Sequence, residues 1–548
     1  MKKIVVCITL MLDYLIYFLK SRINAILKLS NKVEVMPHKE YLQIAVKPTG
    51  GLGDYIVSSK FMDELFTYAP CKIDVYCEKM EFGEAIFAKR PFMRVLPISM
   101  YDNSAYQYDL AMEVEHFIHV QHYNAKRVYV FSPHLFRIVE KIRLKWNEIY
   151  LMIPQQCYRE RIHFQQMEMQ GLNRYSELRM QGCFRISDRW SGIFMDQEAY
   201  EAYVSLGLKK KEYITCNYGA DRMGKKKHQI KMWPKEYFET LFEMIHKEYP
   251  NIRIIQIGDA KCDALFGADA HILGENLEVT KWILKQSLLH IDCEGGLVHM
   301  ATQLGTPCEV IFGPTPLTIY SYPQNRNLVN PSCNGCMGIH ENWAFQCYKN
   351  EEQPACIYGV TPLIVWKDIK QYMETKEVLQ DKKYVIKENC EKESYKNEFC
   401  EDELNHYQSL CFRDNQKLLT WDEGWTMFYR NAISAVKERR ACKIALINPK
   451  RDWLPFILAK MGLEVFTFDA DYGCGNDVVL FGSLMQYGIE SGVDMRLASD
   501  FSIPYGNESV DFVIIFSMGN KHIEYLVREA NRILCKEGYY LTNDMYLN

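Results

Sequence analysis

Between Tyr41 and about Trp190, short apolar runs alternate with stretches whose apolar residues recur at helical spacing. The runs Leu42 to Val46, Lys72 to Tyr76, Arg94 to Pro97, Leu110 to Glu113 and Arg127 to Phe131 read as strands. A second series follows: Tyr213 to Asn217, Ile252 to Ile257, His271 to Leu273, Leu288 to Ile291 and Glu309 to Phe312. Strand–helix alternation of this kind predicts parallel sheets with crossover helices, the α/β class. From about Asp381 to Arg413 the chain is rich in Lys, Glu, Asn and Asp and loses its apolar period, so a linker with some helix is expected. A third series starts near Leu418. It predicts strands at Lys443 to Ile447, Glu464 to Phe468 and Val510 to Phe516, helices at Leu454 to Met461 and Ile523 to Leu534, and a last strand after Gly538. The expected organisation is an apolar segment at 1–40, α/β units at 41–195 and 196–380, a linker at 381–413 and a third unit at 414–548.

A chain of 548 residues has room for three or four such units. Its net charge of −4 supplies no basic field, which argues against nucleic acid as a partner. Nineteen cysteines without a small-residue cleavage site near the start point to a reducing cytoplasm. Ile4 to Leu19 is almost wholly apolar and is flanked by Lys2, Lys3, Lys20 and Arg22. It falls short of the roughly 20 residues a bilayer requires and carries Asp13 at its middle. A helix lying in the inner-membrane surface is the preferred reading, with a true anchor or a helix packed on the protein as the others.

The densest chemistry lies at Glu294-Gly295-Gly296-Leu297-Val298-His299, running on to Pro307 and then Phe312-Gly313-Pro314-Thr315. An apolar strand ends there, two glycines turn the chain, and a helix begins. Open α/β sheets bind ligands at such strand ends. Glycines let backbone N–H groups approach a phosphate, and a helix start adds partial positive charge. A carboxylate does not suit bare phosphate, so a ligand carrying both hydroxyls and phosphates, such as a nucleotide sugar, fits better. The competing reading is an ordinary strand–turn–helix joint. Gly50-Gly51-Leu52-Gly53-Asp54 follows the first strand, and Lys231-Met232-Trp233-Pro234 precedes a helix at Lys235 to Lys247. Taken alone, Asp54 reads as a helix cap and Lys231 as a solvated lysine.

These three motifs, in this order, resemble glycosyltransferase family 9, the ADP-heptose transferases, over roughly residues 41 to 375. The family usually carries Asp-Ser/Thr-Gly-x-x-His where this chain has Glu294, Gly295, Gly296 and His299. The resemblance implies a GT-B arrangement, two Rossmann-like domains with a cleft between them, the first for the acceptor and the second for the donor. It also implies Asp54 as the base that deprotonates an acceptor hydroxyl, and Lys231 as the cation on the donor diphosphate. Gly51, Gly53, Glu294, Gly295, Gly296 and His299 would complete a donor site of ADP-heptose type, with His299 more structural than catalytic. The acceptor would be a glycan, lipid-linked or protein, met at the inner-membrane face. No Asp-x-Asp motif occurs in this region, which fits transfer without a divalent metal.

Cys333, Cys336, Cys347 and Cys356 have the spacing of a tetrathiolate site, and Gly335 and Gly338 allow a tight knuckle. A structural zinc or iron is expected there, against free thiols or disulfides. The third unit resembles a class I S-adenosylmethionine-dependent methyltransferase in its later motifs: Ser499-Asp500, Ile503-Pro504, Asp511, Arg532 and Gly538. Its first turn, Asn448-Pro449-Lys450-Arg451-Asp452, has no glycine where that family needs backbone to meet the cofactor. A degenerate domain that does not bind S-adenosylmethionine is therefore expected. The leading function is an inverting glycosyltransferase. The alternatives are a non-catalytic scaffold of a glycan-assembly complex and a bifunctional glycosyltransferase and methyltransferase.

Overall fold

The computed structural model describes residues 35–152, 156–178, 192–219, 230–375, 406, 419, 426–469, 478–498, 503, 505–506, 508–516 and 523–542. The expectations for the apolar segment at Ile4 to Leu19, for all of the linker but residue 406, and for Ser499, Asp500 and Pro504 lie outside these residues.

Three sheets organise the chain. The first comprises β1 (Leu42–Pro48), β2 (Cys71–Cys77), β3 (Met93–Pro97), β4 (Leu110–Val114) and β5 (Ile118–Tyr123), in the order β3-β2-β1-β4-β5. Its strands run parallel except β5, which folds back antiparallel on β4. The strand expected at Arg127 to Phe131 is instead a helix, Ala125–Phe131. Asn124 caps it by accepting the backbone N–H of Arg127, and only Val128 of its side chains is buried. A run of β-branched and aromatic residues says strand, but the cap and the one-sided burial overrule it.

The second sheet comprises β6 (Tyr213–Asn217), β7 (Arg253–Gly258), β8 (Ala270–Leu273), β9 (His290–Cys293), β10 (Cys308–Phe312) and β11 (Arg326–Val329). Its order is β11-β10-β9-β6-β7-β8, wholly parallel. The third comprises β12 (Lys443–Ile447), β13 (Glu464–Asp469), β14 (Val493–Leu497), β15 (Val510–Ile515) and β16 (Leu534–Thr542), also wholly parallel, in the order β14-β13-β12-β15-β16. The inner strands of such parallel sheets are covered by helices on both faces and are buried in unbroken runs, whereas edge strands such as β8 and β11 are only partly buried. β6 and β10 are buried at every position.

Each sheet reverses strand order beside its first strand: between β1 and β4 in the first, and between β6 and β9 in the second. The loops leaving such neighbours diverge to opposite faces and open a crevice. The two halves are clasped by Lys281, which is fully buried and donates to Ala85 O (2.9 Å) and Phe194 O (2.5 Å) while pairing with Glu278 (2.7 Å). The third unit docks on the second through its helix Ile523–Ile533. Tyr525 packs against Tyr200 and Trp282, and Glu529 receives Lys285 at 2.7 Å.

Glu309 on β10 is fully buried, and burial together with the nearby Asp368 carboxylate pushes its pKa up to about 9. An unfolded glutamate titrates near 4.3. Between these values the folded state holds a proton that the unfolded state has lost, so stability falls as pH rises through that window. Glu309→Gln should flatten this slope and be more stable than wild type at pH 8, by on the order of a few kcal/mol, with little gain near pH 4. Denaturant unfolding across the range checks it; a difference that does not vary with pH would count against the assignment.

Candidate active site

The turn after β1 places an acid at the first crevice. Gly50 has φ +94°, and a Cβ there would lie 2.2 Å from Asp54 Oδ2, so glycine is required on both counts. Gly51 starts the helix Leu52–Leu65, and its N–H donates to Asp54 Oδ2 at 2.7 Å. Asp54 thus serves a capping role through one oxygen. The other accepts Arg174 Nη2 at 2.6 Å. Arg174 is almost wholly buried and also pairs with the fully buried Glu177. His116, in the loop after β4, lies 3.1 Å from Glu177 Oε2 through Nδ1, and His163 Nε2 lies 3.8 Å from the same oxygen. Burial works to raise the Asp54 pKa, but the Arg174 and His116 charges and the two hydrogen bonds outweigh it and hold the carboxyl below its usual range. It is ionised at neutral pH and a quarter exposed.

The second crevice holds Glu294, directly after β9. Lys231 Nζ lies 3.7 Å from Glu294 Oε2, and His299 Nε2 lies 3.7 Å from Oε1. The Lys231 loop is pinned beside β9 because Trp233 is fully buried. Its ring N–H donates to Val360 O at 2.7 Å, and its backbone N–H meets Cys293 Sγ at 3.1 Å. Burial favours a neutral Glu294, yet Lys231 and His299 outweigh it and hold its pKa low. His299 is buried, with Nδ1 hydrogen-bonded to the Tyr322 hydroxyl.

The two crevices meet. A Cβ on Gly53 would come within 2.6 Å of His299 Cδ2, and one on Gly296 within 2.8 Å of Leu52 Cβ. The starts of helices Leu52–Leu65 and Gly296–Gln303 therefore interlock glycine to side chain, bringing two partially positive helix termini to one place. Gly51, Gly53 and Gly296 are accordingly engaged in capping and in contact between halves. Gly295 precedes the second helix in an extended conformation open to any residue. Arg174, Glu177, His116, His163 and Tyr322 escaped the sequence reading. Glu115-His116 at a strand end was a faint signal; Arg174 gave none.

The four thiols expected to form a zinc or iron knuckle lie near one another. Cys333, Cys336, Cys347 and Cys356 are free thiols close enough that the other thiols add to the raised pKa values of Cys336 and Cys356, but among the described residues no three His, Cys, Asp or Glu side chains are arranged to hold a metal ion. Burial keeps Cys336 and Cys356 protonated first of all, and Cys333 accepts a hydrogen bond from Lys349 at 3.7 Å instead. Among the described residues no helix is long and apolar enough to cross a membrane.

An α/β protein with two Rossmann-like sheets whose crevices face each other has the GT-B arrangement, here followed in the chain by a third α/β unit. No protein-family model matches the sequence, and no curated relative does. Among solved structures, the chain is similar to the E. coli ADP-heptose lipopolysaccharide heptosyltransferase II at 13 % identity and a TM-score of 0.39, over 61 % of this chain and 100 % of that one. It is also similar to the iron-containing dodecameric glycosyltransferase TibC of enterotoxigenic E. coli, at 12 % identity and a TM-score of 0.40, over 62 % of this chain and 81 % of that one. A family 9 glycosyl transferase of Veillonella parvula matches at 16 % identity and a TM-score of 0.32, over 55 % and 87 % of the respective chains.

Proposed function

We propose that the chain is an inverting glycosyltransferase that moves a sugar, of heptose type, from an ADP-sugar to a glycan, lipid-linked or protein acceptor at the inner-membrane face. One observation carries this reading: the ionised Asp54 and the Lys231–Glu294 pair belong to crevices that meet where Gly53 packs on His299. In such a reaction the acceptor oxygen attacks the anomeric carbon while the bond from that carbon to the diphosphate breaks. The leaving diphosphate keeps the electron pair, and the acceptor proton passes to Asp54. Lys231 stabilises the charge that develops on the diphosphate. Glu294 accepts hydrogen bonds from sugar or ribose hydroxyls. The low Asp54 pKa makes it a weak base, suited to taking the proton late, once the attacking hydroxyl has become acidic.

The third unit is assigned a bracing role in this proposal. In the crevice beside β12, the Lys450 N–H donates to Asp469 Oδ1 at 2.7 Å, and Asn448 and Lys450 both take left-handed backbone conformations. The acid that ends a second Rossmann strand commonly holds a ribose. Here the first turn folds onto it, which favours a domain without S-adenosylmethionine over a second transferase.

A panel of ADP, UDP, GDP and CDP tested by thermal shift on the full chain decides the donor class. ADP at a hundred times its Kd should stabilise the fold by about 2.7 kcal/mol. A melting temperature that no nucleoside diphosphate moves would remove the donor site.

A further inference from the structure

We infer that Arg174 is the positioning residue of Asp54, and that the turn carrying it ties this carboxylate to the donor half. The inference rests on the glycosyltransferase reading for its chemistry but on the structure for its geometry. Arg174 leaves the turn Asn173–Glu177, and its side chain makes three contacts on the acceptor side: Asp54 Oδ1 at 2.6 Å, Glu115 O at 3.5 Å and Glu177. Glu177, with no exposed surface, is in turn met by His116 and His163. A planar guanidinium held between two carboxylates fixes the orientation of both, in a way that the point charge of lysine does not. Asp54 is thereby locked at both ends, one oxygen on Gly51 N–H and the other on Arg174.

The same turn reaches the donor half. The Arg174 backbone N–H donates to Ile319 O at 2.9 Å. The next residue, Tyr175, packs edge-on against Tyr322 with ring centroids 5.3 Å apart. Tyr322 hydrogen-bonds His299, and His299 faces Glu294. Two consecutive residues, Arg174 and Tyr175, thus touch the acceptor-side acid and the donor-side cluster. A shift of one half against the other moves the guanidinium that orients Asp54. The charged and titratable groups around Asp54 are Arg174 on this turn, Glu115 and His116 after β4, and Glu294 on the donor half; burial and the Arg174 charge hold His116 well below its usual pKa, so it is neutral near pH 7.

Arg174→Gln alone would strand Glu177 as a buried charge and endanger folding. The test therefore uses Arg174→Gln/Glu177→Gln, which removes both charges, beside Arg174→Lys, Asp54→Asn and the triple variant. The first readout is ADP released from ADP-heptose with water as acceptor. We expect a loss of about 10²-fold in the double variant, partial rescue in Arg174→Lys, and an acid limb displaced upward by about one pH unit. The triple variant should be no slower than Asp54→Asn, because a residue acting through another adds nothing once that one is gone. Multiplicative losses or an unmoved acid limb would overturn the inference. The second readout needs no turnover: the Asp54 carboxylate is titrated by infrared difference against Asp54→Asn. Its titration should rise in the double variant, and an unchanged titration refutes the inference even in an active enzyme. If wild type neither binds ADP nor releases it, the glycosyltransferase reading fails and the titration alone judges the role of Arg174.

Discussion

Asp54→Asn is expected to cut sugar transfer by about 10²-fold or more while ADP affinity stays within a few-fold of wild type. The asparagine amide keeps an oxygen for Gly51 N–H or for Arg174, so the helix start survives while the proton acceptor is lost. Asp54→Ala should lose as much activity and some stability besides. It frees the Gly51 N–H and leaves the buried Arg174 guanidinium with one carboxylate fewer, a cost of roughly 1–3 kcal/mol. The pair of variants separates the two roles of the residue: activity falls alike in both, and melting temperature falls mainly in the alanine. Turnover above about a tenth of wild type in either variant would show that Asp54 is a cap and not a base. Weakened ADP binding in Asp54→Asn would place it on the donor side instead.

Which parts of this site were readable in the chain follows from how local each signal is. Strands such as Leu42–Pro48 and Tyr213–Asn217 announced themselves because the inner strands of a parallel sheet are buried on both faces. β5 and β11 did not: their burial is partial, and their residues His119, Gln121 and Asn327 break any apolar run. Asp54, Lys231 and Glu294 were legible because each sits in a short turn next to a strand or helix whose type the local pattern predicts. Arg174 was not, since its partner is 120 residues away and its own turn carries no motif. The glycines were legible as special but not for the right reason. A glycine permits close approach, and only the packing of one half on the other tells that Gly53 and Gly296 receive His299 and Leu52. The cysteine spacing foretold a gathering of thiols, and Cys356 does lie near Cys333, Cys336 and Cys347, but spacing does not fix the ligand geometry: among the described residues no three such side chains are arranged to hold a metal ion.

Lys231→Ala should weaken ADP binding by about tenfold or more and lower turnover further, because a diphosphate in a half-dry crevice loses its cation there. The variant has a second consequence that must be separated from the first. Lys231 is the strongest of the charges holding the Glu294 pKa down against burial, and His299 alone remains once it is gone. The Glu294 carboxyl should then titrate at higher pH and donate rather than accept a hydrogen bond over part of the acid range. If Lys231 acts only by keeping Glu294 ionised, Glu294→Gln will bind ADP as poorly as Lys231→Ala, and the double variant will be no worse. If Lys231 meets the diphosphate, it should still matter in the Glu294→Gln background, where removing it costs the same tenfold. Calorimetry with ADP on the four proteins, at low and high salt, distinguishes the cases. Direct contact predicts an affinity that falls with salt in the wild type and less steeply in Lys231→Ala, since a charge that touches phosphate contributes to the ionic-strength dependence and its absence removes that part. Unchanged ADP affinity in Lys231→Ala at both salts would remove the lysine from the phosphate site and leave it as a partner of Glu294 alone.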